Sequence, residues 1–240
     1  MLGAIAGDVI GSRFEWANVK TKDFSLLTDD CIFTDDTVLA VALADAILTG
    51  ANYGHVMKAY YKRYPFVSYG GRFREWARSD DIAPYSSWGN GAAMRISPAA
   101  YAYDTLEEVL RHAARFTGTT HDHPEGIKGG RTTAAAIFIA RAGGSKAEIR
   151  SYVAKTFGYD LSATVDSIRP TYVFDESCQG TVPQALICFL ESVACIAGAV
   201  AEGFYGGVPE HIAEEVMGKL DSGLRETTAR FMQTHVRVVR

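Results

Sequence analysis

The chain has 240 residues, of which 48% are hydrophobic, and it carries a formal net charge of −4 at pH 7. This length fits one large domain or two small ones, and the apolar content is sufficient for a core. The acidic balance argues against a protein that binds nucleic acid through its overall charge. There is no run of 18 or more apolar residues, so the sequence predicts no membrane span.

The N-terminus and the cysteines both indicate a cytoplasmic protein. The apolar stretch Met1–Gly7 is short, lacks a basic residue and runs into Asp8, so we do not interpret it as a secretory signal. The four cysteines form no CxxC pair and lie in or beside apolar segments. This pattern favours free buried thiols in a reducing compartment.

In the first half of the chain, apolar residues recur at helical spacing, and long polar loops separate the predicted helices. Glycines recur every fourth residue in the first predicted helix, at Gly3, Gly7 and Gly11, which would let another helix or a ligand approach closely. The segment 68–97 is rich in loop residues. The helices predicted here cover residues 2–14, 36–50, 54–63 and 104–116.

The second half of the chain is predicted to be helical as well, without a repeat or a break in composition. Pro183 is expected in the first turn of its helix, where proline is tolerated. Only residues 172–174 and 236–239 have a strand-like pattern. The sequence therefore predicts a single all-α domain over residues 1–240. The helices predicted here cover residues 127–141, 145–157, 181–191 and 193–205, followed by two amphipathic helices.

Two carboxylates and two hydroxyls stand where the second predicted helix begins, in Phe33–Thr37. Carboxylate and hydroxyl oxygens are ligands for hard cations such as Mg²⁺, Mn²⁺ or Ca²⁺. The alternative is a capped helix start, because Thr and Asp satisfy the free N–H groups there and complement the helix dipole.

Small residues and an amide side chain precede a short predicted helix in Gly89–Arg95. Such a stretch can present backbone N–H groups to an anion at a helix N-terminus. The alternative is an ordinary Asn-Gly turn.

Two histidines and two carboxylates lie close together in Thr120–Gly126. The His-x-His spacing without cysteine is thin evidence for zinc. We favour a polar loop in which His121 donates a hydrogen bond to a phosphate or ribose, while His123 and Pro124 shape the turn.

Glu15 lies between Phe14 and Trp16, where partial desolvation would raise the pKa of its carboxyl toward a useful acid–base range. The alternative is a surface glutamate beside core aromatic residues. From the residues alone we favour this alternative.

Several short motifs follow one another along the chain: Gly3–Asp8 with Gly11 and Glu15, Phe33–Thr37, Trp88–Arg95, Thr120-His121 with Pro124–Gly126, Gly180–Leu186, Ile196–Ala199 and Tyr205–Gly207. In this order they resemble the ADP-ribosylglycohydrolase family, the group that includes the dinitrogenase reductase-activating glycohydrolases. Each motif is weak alone, but the ordered combination is specific, and it covers nearly the whole chain.

The resemblance implies an all-α orthogonal bundle of many helices, with two Mg²⁺ or Mn²⁺ ions at the floor of a cleft. It also implies a hydrolase that removes ADP-ribose from a modified protein side chain or a small molecule by cleavage at the ribose anomeric carbon. Nucleic acid would be a partner only as an ADP-ribosylated substrate, and no membrane is implied.

The resemblance also assigns roles by position. Thr34, Asp35 and Asp36 would be metal ligands, and Glu15 and Asp36 would be the catalytic carboxylates. The residues implied in binding the ADP-ribose are Gly89, Asn90, Gly91, Ala92, Met94 and His121.

The chain departs from the family at residues 191–193. The family's second group of metal ligands, an Asp-x-Asp-Thr motif, is absent, and a helix and loop on the order of 20 residues would fall here. One interpretation is that the printed chain lacks a segment of the natural protein, and the other is a true deletion. Because no turn residues mark the seam, we favour the first.

Two further hypotheses remain beside the hydrolase. One is a non-catalytic relative that binds ADP-ribose or a nucleotide through Gly89–Arg95 and His121 with an incomplete metal site. The other is a structural helical protein in which Thr34-Asp35-Asp36 only caps a helix.

Overall fold

The computed structural model describes residues 1–17, 19–21, 23–191 and 195–236. These residues form helices and no strands, so the all-α prediction is confirmed. The helices are α1 (Leu2–Gly11, followed by a 3₁₀ turn, Ser12–Phe14), α2 (Asp35–Thr49), α3 (Tyr53–Arg63), α4 (Gly71–Arg78), α5 (Gly91–Met94), α6 (Ser97–Ala102), α7 (Leu106–Thr117), α8 (Pro124–Arg141), α9 (Lys146–Phe157), α10 (Val165–Ile168), α11 (Cys178–Glu191), α12 (Cys195–Tyr205), α13 (Glu210–Lys219) and α14 (Ser222–His235).

Helices α2 and α8 form the centre of the fold. Helix α2 is buried along most of its length and packs against α1, α3, α5, α6 and α14. Helix α8 packs against α5, α6, α7, α9, α11 and α12. Both helices are rich in alanine, whose small side chain lets neighbouring helices approach from several sides. Helices α1, α2 and α5, which carry the candidate site described below, are thus packed against the core.

Helices α1 and α12 are in close contact through glycines. A Cβ atom on Gly3 would overlap the carbonyl oxygen of Gly198, and one on Gly198 would overlap the carbonyl oxygen of Gly3. A Cβ atom on Gly11 would meet nothing within 4 Å. The predicted role of the four-residue glycine spacing therefore holds at Gly3 and not at Gly11.

The structure corrects three local predictions. Helix α4 lies within the segment 68–97, for which only a richness in loop residues was noted, because its short amphipathic sequence buries Phe73, Trp76 and Ala77. Helix α11 begins at Cys178, since the Ser177 hydroxyl accepts a hydrogen bond from Gly180 N at 2.9 Å, and Pro183 therefore lies inside the helix. Residues 172–174 form no strand.

Two predictions concern the region around α11 and α12. The proposed seam at 191–193 lies largely outside the described residues, which exclude 192–194. The segment Cys178–Tyr205, which includes those residues, is long and apolar enough to cross a membrane by length and composition alone. However, 64% of its most apolar window is buried inside the protein, as in a core helix.

Candidate functional site

The carboxylate of Asp8 in α1 fixes the start of α2. Asp8 Oδ2 accepts hydrogen bonds from the backbone N–H groups of Thr34 and Thr37, at 2.8 and 3.2 Å. The two hydroxyls donate to the same carboxylate, each at 2.6 Å. All three residues are buried. Sequence reasoning included Asp8 only as the end of the Gly3–Asp8 motif, because its partners Thr34 and Thr37 are 26 and 29 positions away in the chain.

Thr34 is the N-cap of α2, because its hydroxyl also accepts a hydrogen bond from Asp36 N at 3.3 Å. The capped-helix interpretation is therefore correct for this residue. Asp35 and Asp36 occupy the first turn of α2, where the helix dipole favours negative charge. Capping leaves both carboxylates at the helix start, so it does not exclude a role as ligands.

Three carboxylates come together around this helix start. Burial, and next the charge of Asp8, raise the pKa of Asp35 to about 7, with a smaller contribution from Glu15. Burial also raises the pKa of Asp8, against the hydrogen bonds from the two threonines. The half-buried Glu15 has a raised pKa because of burial and then the charges of Asp8 and Glu176. The raised pKa supports the acid–base interpretation of Glu15, which the residues alone did not favour. The site has an acidic wall, defined here as Asp8, Glu15 and Asp35, and Asp36 follows Asp35 in the first turn of α2.

The loop before α5 is held between two other loops. Ser87 N donates to Thr120 O at 3.3 Å, and Asn90 N donates to Glu176 O at 2.6 Å. An isolated antiparallel bridge joins Gly89 to Ser177. Segments that are far apart in sequence, around residues 88, 120 and 177, therefore meet at one place.

The backbone of this loop is less open to an anion than the sequence predicted. Gly89 N donates to Ser87 Oγ at 3.2 Å, Asn90 N is paired as above, and Ala92 N donates to Gly89 O at 3.3 Å. Ala92 is fully buried, and Met94 is partly buried against the core. Most of the N–H groups that were predicted to bind an anion therefore already donate to acceptors within the protein. Side chains near the loop have to supply more of the contact with a ligand.

His121 lies against this loop. Its ring is buried, and a Cβ atom on Gly91 would lie 3.1 Å from His121 Nε2, so a side chain there would require the ring to shift by a few tenths of an ångström. His121 Nδ1 lies 2.7 Å from Thr120 Oγ1 and 3.3 Å from Arg95 Nη2. Burial, followed by the charges of Arg95 and Arg72, holds the pKa of His121 well below its usual range.

Arg95 lies close enough to both the acidic wall and His121 for its charge to act on each of them. Arg95 follows α5, which packs against α2, and its charge acts on both Asp35 and His121. Sequence reasoning included Arg95 only as the last residue of a motif. A charged side chain in the apolar surroundings of Ala92, Ala93 and Ile96 was the available signal.

The other residues of the 120–126 loop shape the turn, as expected. The His123 ring accepts a hydrogen bond from Glu125 N at 3.2 Å and caps α8. Asp122 accepts one from Ser86 N at 2.8 Å. Ser86 itself has φ = 51°, a left-handed conformation that this bond helps to hold.

The residues at the start of α2 offer the type of ligand that a hard cation prefers, but they form only part of a coordination shell. Thr34, Asp35 and Asp36 offer oxygen atoms, which Mg²⁺ and Mn²⁺ prefer. Within the part of the chain that the structure describes, no three His, Cys, Asp or Glu side chains are grouped so that they could hold a metal. This agrees with the absence of the Asp-x-Asp-Thr motif from the sequence.

Comparison with known proteins places these features in a family. The family model described as ADP-ribosylglycohydrolase matches residues 1–191. Two curated relatives, both named ADP-ribosylhydrolase ARH3, are 27% identical, over 183 residues for the Bos taurus protein and 184 for the Homo sapiens protein. Each alignment covers 62% of this chain and 50% of the relative. The chain thus spans about half the length of the curated relatives that it matches.

A solved structure supports the same fold. A protein described as an ADP-ribosylglycohydrolase-related protein complex aligns with a TM-score of 0.56 at 20% sequence identity, covering 100% of this chain and 88% of that one. At this identity the likeness concerns the fold alone. The family match, which extends over more than half of the chain, shows that this protein belongs to the ADP-ribosylglycohydrolase family.

Proposed function

We propose that this protein is a metal-dependent hydrolase that removes ADP-ribose from a modified protein side chain or another ADP-ribosyl acceptor, by cleavage at the ribose anomeric carbon. The observation that carries the proposal is the acidic wall together with a buried, uncharged histidine, both under the charge of Arg95. Developing positive charge on the ribose would be stabilised by carboxylates, as in other glycosyl cleavages. The family membership supports the same chemistry.

Glu15 is the proposed acid–base residue. Its carboxyl is half-buried and has a raised pKa, so it can hold a proton at neutral pH more readily than an exposed glutamate. It directly follows the 3₁₀ turn Ser12–Phe14 after α1 and precedes the exposed Trp16. From there it would exchange a proton with the attacking water or the leaving group.

Thr34, Asp35 and Asp36 would hold a divalent cation, Mg²⁺ or Mn²⁺, and a second ion if further ligands are present in the natural protein. Such a cation supplies Lewis-acid stabilisation and an activated water. In this chain, Asp8 keeps Thr34 in place by accepting hydrogen bonds from both its backbone and its hydroxyl. Asp36 is thus fixed in the first turn of α2.

The binding-only hypothesis stays as a second candidate because of one specific observation. Among the described residues no group of three or more His, Cys, Asp or Glu side chains could hold a metal ion. A protein with this arrangement would bind ADP-ribose beside His121 without turnover.

Glu15→Gln separates the two candidates. For a hydrolase we expect the release of free ADP-ribose to fall by at least ~10²-fold, the usual worth of general acid–base catalysis, while the affinity for ADP-ribose stays within about threefold. Glu107→Gln, an exposed change in the first turn of α7, is the matched control. Equal release by Glu15→Gln and the wild type would contradict the role of Glu15, and calorimetric binding of ADP-ribose without any release by the wild type would favour the binding-only protein.

A further inference from the structure

Arg95 is the largest fully buried side chain of the described structure, with 1% of its surface exposed. A buried guanidinium is costly unless its N–H groups find acceptors. Arg95 Nη2 donates to Thr120 Oγ1 at 2.6 Å and lies 3.3 Å from His121 Nδ1. The guanidinium also lies 5.8 Å from the centroid of the Tyr53 ring and donates a hydrogen bond to its hydroxyl, so two hydroxyls and the imidazole of the candidate site surround the arginine.

These contacts determine which imidazole nitrogen carries the proton. A guanidinium has donors only, so a nitrogen that faces Arg95 Nη2 must be the acceptor. Thr120 Oγ1 already accepts from Arg95, and its hydroxyl, which is also within hydrogen-bond reach of Tyr85, can donate to His121 Nδ1, 2.7 Å away. Arg95 therefore requires Nδ1 to be unprotonated, and the Thr120 hydroxyl is then a second donor to it, so the single proton of the neutral ring lies on Nε2.

The protonated nitrogen faces the ligand loop. Nε2 is the His121 atom nearest to Gly91, at 3.1 Å from the position of a Cβ atom there, and it lies 3.8 Å from the corresponding position at Gly89. A phosphate oxygen or a ribose hydroxyl placed beside this loop would be an acceptor for Nε2–H. The opposite tautomer would present a lone pair to an anionic oxygen, which is repulsive.

We propose that Arg95 is a positioning residue, which, together with Thr120, holds His121 as the Nε2-protonated tautomer and so makes it a fixed neutral donor toward the ligand at Gly89–Gly91. The ligand part of this inference rests on the proposed function, whereas the tautomer does not. Because the donor is neutral and the opposite ring nitrogen is hydrogen-bonded to Arg95 and Thr120, the ring needs no reorganisation when a ligand oxygen binds.

The tautomer can be read directly by ¹⁵N NMR of the histidine rings in the ligand-free protein. The signals of His121 are assigned by their loss in His121→Gln. We expect the wild type to show a pyrrole-type shift for Nε2 and a pyridine-type shift for Nδ1. A protonated Nδ1 in the wild type would overturn the proposal, whatever the protein binds.

Arg95→Met removes the donors while keeping a long side chain. Thr120 can then accept from the ring, so we expect a mixture of tautomers, whereas Arg95→Lys retains a donor and should restore most of the Nε2 form. If Arg95→Met does not fold, Thr120→Val provides the same readout with a smaller shift, because one of two donors to Nδ1 is lost. Unchanged His121 signals in the variant that folds would overturn the proposal.

Thr133→Val is the control for removing a buried hydroxyl. Thr133 is buried in α8, and its hydroxyl has no hydrogen-bond partner among the described residues. We expect no change in the His121 signals. A change as large as that in Thr120→Val would show a general effect of core substitution and would overturn the proposal.

Calorimetry with ADP-ribose separates this inference from the proposed function. We expect Arg95→Met to weaken binding about tenfold, the worth of one hydrogen bond to a charged group, and Arg95→Lys to weaken it less. The predicted tautomer without any ADP-ribose binding by the wild type would contradict the proposed function and support the positioning role. Binding that is unaffected by a demonstrated change of tautomer would overturn the role of the Nε2 donor.

Discussion

Asp8 shows how one buried side chain can organise a candidate site without being its reactive group. Its carboxylate accepts four hydrogen bonds from Thr34 and Thr37, and these connect α1 to the first turn of α2. The position of Asp35 and Asp36 follows from this connection. The stability of the fold and the geometry of the site therefore depend on the same residue.

Two substitutions of Asp8 should lower the stability of the protein by different amounts. Asp8→Ala leaves buried donors without an acceptor, so we expect the free energy of unfolding to fall by about 3 kcal/mol or more. Asp8→Asn should cost less, because its amide oxygen can replace one carboxylate oxygen. Urea denaturation measures both, with the exposed Asp29→Ala as a control expected within ~0.5 kcal/mol of the wild type. Equal stability of Asp8→Ala and Asp29→Ala would contradict the role of Asp8.

Sequence reasoning identified residues whose chemistry is visible in the chain and missed those whose role depends on tertiary contacts. Thr34, Asp35 and Asp36 were recognisable as a helix start with oxygen ligands. Arg95 was not assigned a role, because its partners Thr120 and His121 are about 25 positions away and only the packing of α5 brings them together.

Helices α1 and α12 show the same distinction at the level of elements. The glycine spacing in α1 predicted a close approach, but the partner of Gly3 could not be named from the sequence. It is Gly198 in α12, a helix almost 200 residues later. Gly11, which has the same spacing, is open to solvent and is not required for packing.

Gly198→Ala should therefore destabilise the protein, whereas Gly11→Ala should not. The added methyl group at Gly198 overlaps the backbone of α1, and overpacking of this kind costs about 1–3 kcal/mol. Alanine at Gly11 favours the helical conformation and should raise stability by roughly 0.5–1 kcal/mol. Thermal melts followed by circular dichroism measure both changes. A Gly198→Ala protein as stable as the wild type would contradict the close α1–α12 contact.

The element boundaries that sequence reasoning misplaced have local physical causes. Helix α4 has eight residues, too few for its periodicity to stand out in a segment rich in Gly, Pro and Ser. The start of α11 depends on Ser177 and on the hydrogen bond from Cys178 N to Trp88 O, at 3.0 Å. A contact with a loop 90 residues earlier cannot be deduced from local sequence.

At the scale of the whole molecule, fold and family were predictable because the ordered motifs extend along nearly the whole chain. The family match ends at Glu191, the first residue of the seam that sequence reasoning noted. Helices α13 and α14 follow beyond it and pack against α1 and α2, so the C-terminal part supports the site elements from outside the matched region.

Cation binding is a property of the assembled site and can be tested without turnover. We expect Mg²⁺ or Mn²⁺ to raise the melting temperature, with a stabilisation of about 2.7 kcal/mol at a concentration 100 times the dissociation constant. A chelator should reverse the effect, and Asp36→Asn should reduce it. Stabilisation of the same size in Asp36→Asn would place the cation elsewhere in the molecule.

The most direct test of the account is the release of free ADP-ribose, quantified with Mg²⁺ or Mn²⁺ present, from arginine-, serine- and DNA-linked substrates and from O-acetyl-ADP-ribose. We predict metal-dependent release from at least one of them by the wild type, and a loss of at least ~10²-fold in Asp36→Asn. No release from any of these substrates by the folded, metal-supplemented wild type, or equal release by Asp36→Asn, would contradict the proposed hydrolase.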